Sequence, residues 1–147
     1  MGDKLGYECK LYRNSGTYAV PVWVEVTNVK DVTLNMEKSE ANATTRANQG
    51  WKASKAALKD ATIDFEMVYD TLDANFQAFK GAFIGNTTVE VAVMDGGIAV
   101  VGSEGLRVTV DVMKFPRSEP LEGEVTVAVS LKPTYAAHAP EWKVIAA

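Results

Sequence analysis

Alternation of apolar and polar residues is the dominant pattern of the chain, and it predicts a mainly β protein. The stretch ATIDFEMVYD, residues 61–70, shows the pattern most clearly. Its apolar positions are Ile63, Phe65, Met67 and Tyr69, and its polar positions are Thr62, Asp64 and Glu66. The same pattern predicts strands over residues 18–28 and 31–38, and four more that begin at Val89, Ile98, Leu106 and Val125. The chain is therefore expected to hold about seven strands.

A single amphipathic helix is predicted to follow this stretch. Its apolar stripe is Leu72, Phe76, Phe79 and Phe83, spaced at i, i+4, i+7 and i+11. Asp70 is the predicted N-cap, Asp73 lies in the predicted first turn, and Gly85 is the predicted end. Because a sheet with one apolar face must bury it, the expected fold is a β-sandwich or small barrel with one flanking α-helix.

Residues 39–50, SEANATTRANQG, interrupt the alternation with almost no apolar side chains. A polar connection of this length inside a compact domain is usually functional or disordered. Residues 51–59 are compatible with a short helix that carries Lys52, Lys55 and Lys59 on one side. Residues 1–147 are expected to form one domain with flexible arms at both ends, and Pro133 is expected to end the last strand.

Composition describes a globular and slightly acidic chain, with 47% hydrophobic and 23% charged residues. A net charge of −4 makes it a poor candidate for holding nucleic acid, because that takes clustered Lys and Arg. No apolar run is long enough to span a membrane, and the N-terminus has no signal-peptide core. The single cysteine, Cys9, excludes an intrachain disulfide and favours a reducing compartment.

The sequence offers no convincing enzyme, metal or cofactor site. His138 is the only histidine, and with Cys9 alone it cannot form a zinc site. Asp64 and Glu66 are expected about 7 Å apart on one strand face, a separation that inverting glycosidases use. Such enzymes hold their carboxylates on both sides of a sugar, whereas neighbours on a flat face flank nothing. The pair is interpreted as part of a solvated polar face, and neither enzyme activity nor a cofactor is expected.

Charge is distributed unevenly between strands and loops. The polar strand positions hold Glu25, Glu37, Asp64, Glu66, Glu90, Asp111 and Glu124, against only Arg107 and Lys132. The basic residues Lys30, Lys38, Arg46, Lys52, Lys55 and Lys59 gather around the long polar connection. One interpretation is solubility. The other is self-association, in which a basic loop meets an acidic patch on a neighbouring subunit.

Several motifs of the chain occur together in one known family. A strand enters a polar loop that ends near Arg46, a Trp follows, the strand FEMVYD precedes a helix, and a Pro-Leu-Glu-Gly turn precedes a strand ending in Lys-Pro-Thr. The stretches are VWVEVTNVKDVTLNMEKSEANATTRANQGWKA, ALKDATIDFEMVYD and LEGEVTVAVSLKPT. Over residues 17–135 the chain resembles the tail tube proteins, or major tail proteins, of long-tailed bacteriophages.

The resemblance implies a structural protein of the virion, made in the cytoplasm of the bacterial host. It implies hexameric rings of this chain that stack into a tail tube, and a channel through which viral DNA passes at ejection without specific binding. Other implied partners are the tape measure protein, the tail terminator, the distal tail or baseplate proteins and, in contractile tails, a sheath.

The resemblance also suggests roles for individual residues. Asp64, Glu66, Asp111 and Glu25 are the candidate acidic residues of the channel, where repulsion of phosphate would let DNA slide. Glu40, Asn42, Thr44, Thr45 and Arg46 are candidate contacts between rings, and Lys52, Lys55 and Lys59 are candidate contacts between subunits. The alternative function is a monomeric β-sandwich module that binds carbohydrate or protein, with Trp23, Trp51 or Trp142 as its platform.

Overall fold

The computed structural model describes residues 5–146; residues 1–4 and 147 lie outside the described part. The described residues form nine β-strands, one α-helix and two 3-10 helices. The strands are β1 Lys10–Asn14, β2 Trp23–Glu25, β3 Val29–Asn42, β4 Ser54–Val68, β5 Thr88–Met94, β6 Glu104–Lys114, β7 Arg117–Ser118, β8 Thr126–Pro133 and β9 Glu141–Val144. The α-helix, α1, is Ala74–Gly85, and the 3-10 helices are Gly6–Glu8 and Arg46–Asn48.

The strands pair into one antiparallel sheet that curls into an open half-barrel. Its order is β2-β1-β5-β6-β8-β4-β3, so β2 and β3 are the terminal strands. Residues 104–107 of β6 pair with β9 and residues 110–114 pair with β8, so β8 and β9 follow each other along the same edge of β6. The predicted fold class, a mainly β chain of about seven strands with one flanking helix, is confirmed, and its strands form one continuous sheet.

The core lies on one face of the sheet, which we call the inner face. Ile63, Phe65 and Met67 are buried there, as the alternation in β4 predicts, whereas Tyr69 beyond the end of β4 is partly exposed. The same cluster includes apolar residues of β5, β6 and β8 and the two buried phenylalanines of α1. Phe79 of α1 meets Phe65 edge to face, with ring centroids 5.5 Å apart. Each fully buried side chain of this size contributes about 1.5–3 kcal/mol to folding.

The helix begins about one turn later than predicted. Asp73 is the N-cap, because its side chain accepts a hydrogen bond of 3.0 Å from the backbone N–H of Phe76. Asp70 accepts instead from the backbone N–H of Leu72 in a turn before the helix. Leu72 therefore leaves the predicted apolar stripe and is 94% exposed. A short carboxylate can cap either turn, and packing of the two buried phenylalanines selects the later start.

The other end of α1 is close to its predicted position. Gly85 is the last helical residue, and Asn86 takes the left-handed conformation, with φ of 59°, that ends the helix. Phe83, near this end, packs on Phe115 with ring centroids 6.2 Å apart but remains partly exposed.

The predicted helix over residues 51–59 is wrong, because β4 starts at Ser54 and runs as an extended strand to Val68. Pairing with β3 continues along this stretch. The backbone N–H of Leu58 also donates to Oγ of Ser39 at 3.0 Å. A hydrogen-bonded partner strand overrides a weak local helix preference.

Three other strand predictions need correction. Of residues 18–28 only Trp23–Glu25 form a strand, because residues 15–22 form a loop. Asn14 holds that loop by accepting hydrogen bonds from the backbone N–H groups of Gly16 and Val22. The predicted strand at residues 98–101 is part of the connection between β5 and β6. Pro133 does end β8, but β9 follows it.

The strands β3 and β4 form a long hairpin that leaves the body of the domain. Its ladder runs from the pair Val29 and Met67 to the pair Asn42 and Ser54. None of residues 35–60 is buried. At about 3.3 Å per residue, residues 34–42 carry the hairpin about 26 Å beyond the core.

Candidate assembly and channel surfaces

The outer face of the sheet, opposite the core, has two different halves. The covered half comprises β2, β1, β5 and the start of β6, where Tyr12, Ala92 and Met94 form a second buried cluster. Ile98 and Ile145, from the β5–β6 connection and the C-terminal segment, pack against this cluster. The open half comprises β8, β4, the rest of β6 and the start of β3, and none of its outward-facing residues is buried.

Three of the predicted channel residues, Asp64, Glu66 and Asp111, lie together on the open half. Asp64 is opposite Ser130 of β8 and Asp111 is opposite Lys132, two residues further along the same strand and therefore on the same face. Glu66 follows Asp64 on that face of β4. Within residues 5–146 none of the three carboxylates takes part in an ion pair. Their negative charges are therefore partly exposed to solvent, although Glu66 is opposite Lys30 and raises the pKa of that lysine, after the larger effect of Glu124.

Two lysines of the open half, Lys30 and Lys132, contact other carboxylates, whereas Lys114, opposite Ser130, takes part in no ion pair within residues 5–146. Nζ of Lys30 lies 3.0 Å from Oε1 of Glu124, and this hydrogen bond raises the pKa of Lys30. Nζ of Lys132 lies 3.7 Å from Oδ2 of Asp60. Both pairs are exposed and weak, but they neutralise carboxylates other than the three in the centre.

Glu25, the fourth predicted channel residue, is separated from the other three. It belongs to β2, at the opposite end of the strand order from β3. Its Oε2 lies 3.6 Å from Nζ of Lys10 on the neighbouring strand β1. The structure thus brings together three of the four residues and places the fourth in a different charge environment.

Asp64 and Glu66, considered above as a carboxylate pair, are neighbours on the outer face of β4. Neither residue lines the cavity between β1, β2 and the start of β3 or the smaller cavity beside α1. No group of three or more potential metal ligands was found among residues 5–146. Because they lie side by side on one strand, the two carboxylates do not face each other across a cleft, as those of glycosidases do.

The hairpin tip, residues 43–53, connects β3 to β4 and is closed by its own hydrogen bonds. The backbone N–H of Ala43 donates to the carbonyl of Ala53, and the N–H of Ala53 donates to Oγ1 of Thr44, both at 2.9 Å. Trp51 in the tip is 78% exposed. Of the predicted ring contacts, Glu40 and Asn42 lie at the end of β3, and Thr44, Thr45 and Arg46 lie in the tip. All five are exposed and far from the core.

The three lysines predicted on one side of a helix do not share one surface. Lys52 lies in the hairpin tip, whereas Lys55 and Lys59 belong to β4. Lys59 is opposite Lys38 and Lys55 is opposite Ala41. Positions 38 and 41 face opposite sides of β3, so Lys55 and Lys59 do as well. The extra residue of a β-bulge between these pairs causes the change of side.

The covered half holds a buried charged cluster that the sequence analysis missed. Arg107 is only 6% exposed, and its Nη2 lies 3.0 Å from Oε1 of Glu90 and donates to the carbonyl of Tyr18 at 2.9 Å. The guanidinium also lies 3.9 Å from the ring centroid of Tyr18 and 5.1 Å from that of Trp23. The ring of His138 stacks on Tyr18 at 3.5 Å. This arrangement ties residues 15–22 and the C-terminal segment to the sheet.

The three tryptophans considered as a binding platform lie on three separate elements. Trp23 belongs to the cluster around Arg107, Trp51 to the hairpin tip and Trp142 to β9. Nε1 of Trp142 donates to Glu104 at 3.0 Å. Each of the three therefore stays a separate candidate for the platform of the alternative function.

No helix in the described part of the chain has both the length and the apolar character needed to cross a membrane.

Comparison by sequence finds no matching family model and no matching curated protein. Comparison by structure finds matches that cover nearly the whole chain. The SPP1 tail tube matches with a TM-score of 0.77 at 11% identity, over 99% of this chain and 81% of the other. The tail of an empty gene transfer agent particle, refined with helical C6 symmetry, matches with a TM-score of 0.72 at 12% identity, over 98% and 100%.

A baseplate structure of the anti-feeding prophage is also similar, with a TM-score of 0.65 at 8% identity over 99% of this chain and 98% of the other. At identities this low, the structural likeness shows the fold alone. They confirm, at the level of the fold, the resemblance suggested by the sequence motifs: this chain has the fold of phage tail tube proteins.

Proposed function

We propose that this chain is the structural subunit of a phage-type tail tube, in which copies close into hexameric rings and the rings stack around a channel for DNA. The observation that carries the proposal is the match of the whole domain to the SPP1 tail tube, over 99% of the chain. The C6 symmetry of the matching gene transfer agent tail supports a hexameric ring.

The open half is the surface proposed to line the channel. Its central carboxylates, Asp64, Glu66 and Asp111, have no ion-pair partner among the described residues. A polyanion that passes such a surface is repelled from it and therefore does not adhere. The role of these residues is electrostatic, and no catalytic step is proposed.

In a closed ring, neighbouring subunits would pair or cover the free edges at the two ends of the sheet. The terminal strands β2 and β3 each have one edge without a partner strand in the described chain. Unpaired edges are an aggregation hazard in a monomer, but a closed ring of identical subunits pairs or covers them. The half-barrel shape suits a subunit that becomes complete only beside its neighbours.

The same proposal defines location and partners. The protein would be made in the cytoplasm of a bacterial host and would function in the virion tail. Besides other copies of itself, it would contact a tape measure protein, a tail terminator, distal tail or baseplate proteins and, in a contractile tail, a sheath.

Electron microscopy of the concentrated protein tests the proposal. We expect hollow tubes with six-fold symmetry. A protein that stays strictly monomeric over all salt and concentration conditions would overturn the assignment.

A shortened hairpin tests the proposed ring contacts. Replacing residues 43–53 by Asn-Gly joins Asn42 to Ser54, which already face each other and suit a two-residue turn. We expect a folded protein with impaired stacking, because the removed residues make no core contact. Tubes of normal length from this variant would exclude the tip from stacking.

A further inference from the structure

The terminal strand β2 has backbone groups that point away from the sheet, because its only partner strand is β1. The backbone N–H of Val26, just after β2, donates to the carbonyl of Leu11 at 2.8 Å, so residue 26 faces β1. Groups that face the same neighbouring strand recur every second residue, so Val24 faces β1 as well. The N–H and C=O groups of Trp23 and Glu25 therefore face the free side of the sheet, which we call the outward edge of β2.

One group on the outward edge of β2 is already bound by a side chain of α1. Nδ2 of Asn75 donates to the backbone carbonyl of Glu25 at 3.1 Å. Asn75 is the second residue of α1 and is only 3% exposed. The first turn of the helix thus contacts β2 on the side where the strand would accept a further strand.

Arg13 of β1 fixes the orientation of the Asn75 amide. Nε of Arg13 donates to Oδ1 of Asn75 at 2.8 Å. A guanidinium can only donate hydrogen bonds, so the amide oxygen must face Arg13 and the amide NH2 group must face the carbonyl of Glu25. Both polar atoms of the buried amide are therefore hydrogen-bonded, as is usual for buried polar groups. Arg13, Glu25 and Asn75 connect β1, β2 and α1, and we call them the edge guard.

A strand that pairs along β2 needs the carbonyl that Asn75 occupies. Its backbone N–H groups have to donate to the outward carbonyls of β2. Within β2 only Trp23 and Glu25 have outward carbonyls, so Asn75 holds one of the two. An incoming strand therefore has to share or displace the bond from Asn75.

We propose that the edge guard keeps the outward edge of β2 closed in the free subunit, and that Asn75 releases the carbonyl of Glu25 when a strand of another subunit pairs there. This inference rests on the proposed function, because it concerns the regulation of an edge that ring closure would use. Monomeric proteins protect their sheet edges against unwanted pairing. A guard of one hydrogen bond is weak enough to be displaced by a partner strand that brings further contacts.

Asn75→Asp tests the edge guard with almost no change of side-chain shape. The aspartate keeps an oxygen for Arg13 but has no N–H for the carbonyl of Glu25, so the bond that closes the edge is lost. We expect the protein concentration at which half of the subunits are assembled to fall by about threefold to tenfold, the effect of one hydrogen bond. Sedimentation velocity, with electron microscopy of the products, measures this concentration.

Gln77→Glu is the matched control. It makes the same amide-to-carboxylate change on the same helix, and it removes a bond of the same kind, from Nε2 of Gln77 to the backbone carbonyl of Thr71 at 2.8 Å. Thr71 precedes α1 and belongs to no strand, so we expect no change in the concentration needed for assembly. Urea unfolding of both variants shows whether lost stability alone promotes assembly.

A second variant keeps the inference testable if the buried aspartate prevents folding. Arg13 is half-buried, and Arg13→Met leaves Asn75 in place but removes the donor that orients its amide. The edge guard should weaken, and assembly should need a lower concentration, by a smaller factor than in Asn75→Asp.

The outcomes separate the inference from the proposed function. Assembly of Asn75→Asp and Arg13→Met at lower concentrations than the wild type and Gln77→Glu supports the edge guard. Tubes from the wild type, with unchanged or weaker assembly of the folded guard variants, would overturn the edge guard and leave the tube assignment standing. An equal shift in Gln77→Glu would also overturn it, because any loss of stability would then have the same effect. A wild type that never assembles would overturn both.

Discussion

Glu90 and Asp64 both occupy outward-facing positions in the middle of the same sheet, yet they have opposite surroundings. The side chain of Glu90, on the covered half, is 11% exposed and forms an ion pair with Arg107. Asp64, on the open half, is only partly buried and has no ion-pair partner among the described residues. The difference arises because residues 15–22 and the C-terminal segment cover only the half of the outer face that holds Glu90.

The charged residues of the two halves therefore have different roles. In the covered half a charge must be paired, because an isolated buried charge is strongly destabilising. In the open half water solvates each carboxylate, so its charge contributes little to folding and remains available for a partner or a passing polyanion.

Replacing Arg107 should have the largest effect on stability. Arg107→Met leaves Glu90 buried without its counter-charge, and we expect a loss of about 3–5 kcal/mol in the free energy of unfolding. Urea denaturation measures it. The double variant Arg107→Met with Glu90→Gln should recover much of the loss, because it removes the uncompensated charge. The matched control on the open half, Lys132→Met, should cost less than about 1 kcal/mol.

An Arg107→Met variant that was as stable as the wild type would mean that the covered half is solvated, and the comparison would fail.

Removing one aromatic contact of Arg107 should have a smaller effect. Trp23→Leu keeps an apolar side chain but removes the ring 5.1 Å from the guanidinium. We expect a loss of about 1–2 kcal/mol, measured by thermal or urea unfolding. Trp51→Leu, at the exposed hairpin tip, provides the same substitution without the contact and should leave stability unchanged within about 0.5 kcal/mol. Equal losses in both variants would contradict a special role for the covered half.

Neutralising the open half should hardly change folding. We expect Asp64→Asn to alter the free energy of unfolding by less than about 0.5 kcal/mol. In assembled tubes the same change should increase retention of DNA, because it removes negative charge from the proposed channel surface. A DNA retention assay at low salt measures this. Loss of an enzymatic activity or of folding in Asp64→Asn would contradict the electrostatic role.

Alternation alone predicted which residues form the inner face, because every second side chain of a strand points to the same side of the sheet. Ile63, Phe65 and Met67 are core for this reason. The charge environment of Arg107 could not be predicted the same way, because the residues that cover it, Tyr18 and the C-terminal segment, are remote in sequence.

The same limitation explains the errors around the hairpin. Local spacing placed Lys55 and Lys59 on one side of a helix, but a long ladder with β3 makes the segment a strand. A single bulge in that ladder then turns the two lysines to opposite faces. Neither the partner strand nor the bulge has a signal within residues 51–59. Alternation predicted that Asp64 and Glu66 share a face, but the position of Asp111 beside them depends on the strand order, which alternation does not specify.

Alkaline pH should affect the two halves in ways that salt can distinguish. Burial, and then Glu141, raises the pKa of Tyr18 above its ordinary value of 10.0. The hydrogen bond to Glu124 raises the pKa of Lys30 above its ordinary value of 10.5. A raised pKa means that the folded chain holds the proton more tightly, so each contribution is complete below the ordinary pKa and is lost as pH rises through the folded pKa.

Unfolding by urea at a series of pH values from neutral to above about 10 therefore should show stability falling at the alkaline end. Tyr18→Phe and Lys30→Met should each reduce that fall. Added salt should suppress the part that Lys30 contributes, because it arises from an exposed pair, and should preserve more of the part that Tyr18 contributes, because burial is its main cause. If salt removed both contributions equally, Tyr18 would be behaving as a surface residue, and residues 15–22 would not cover the sheet as described.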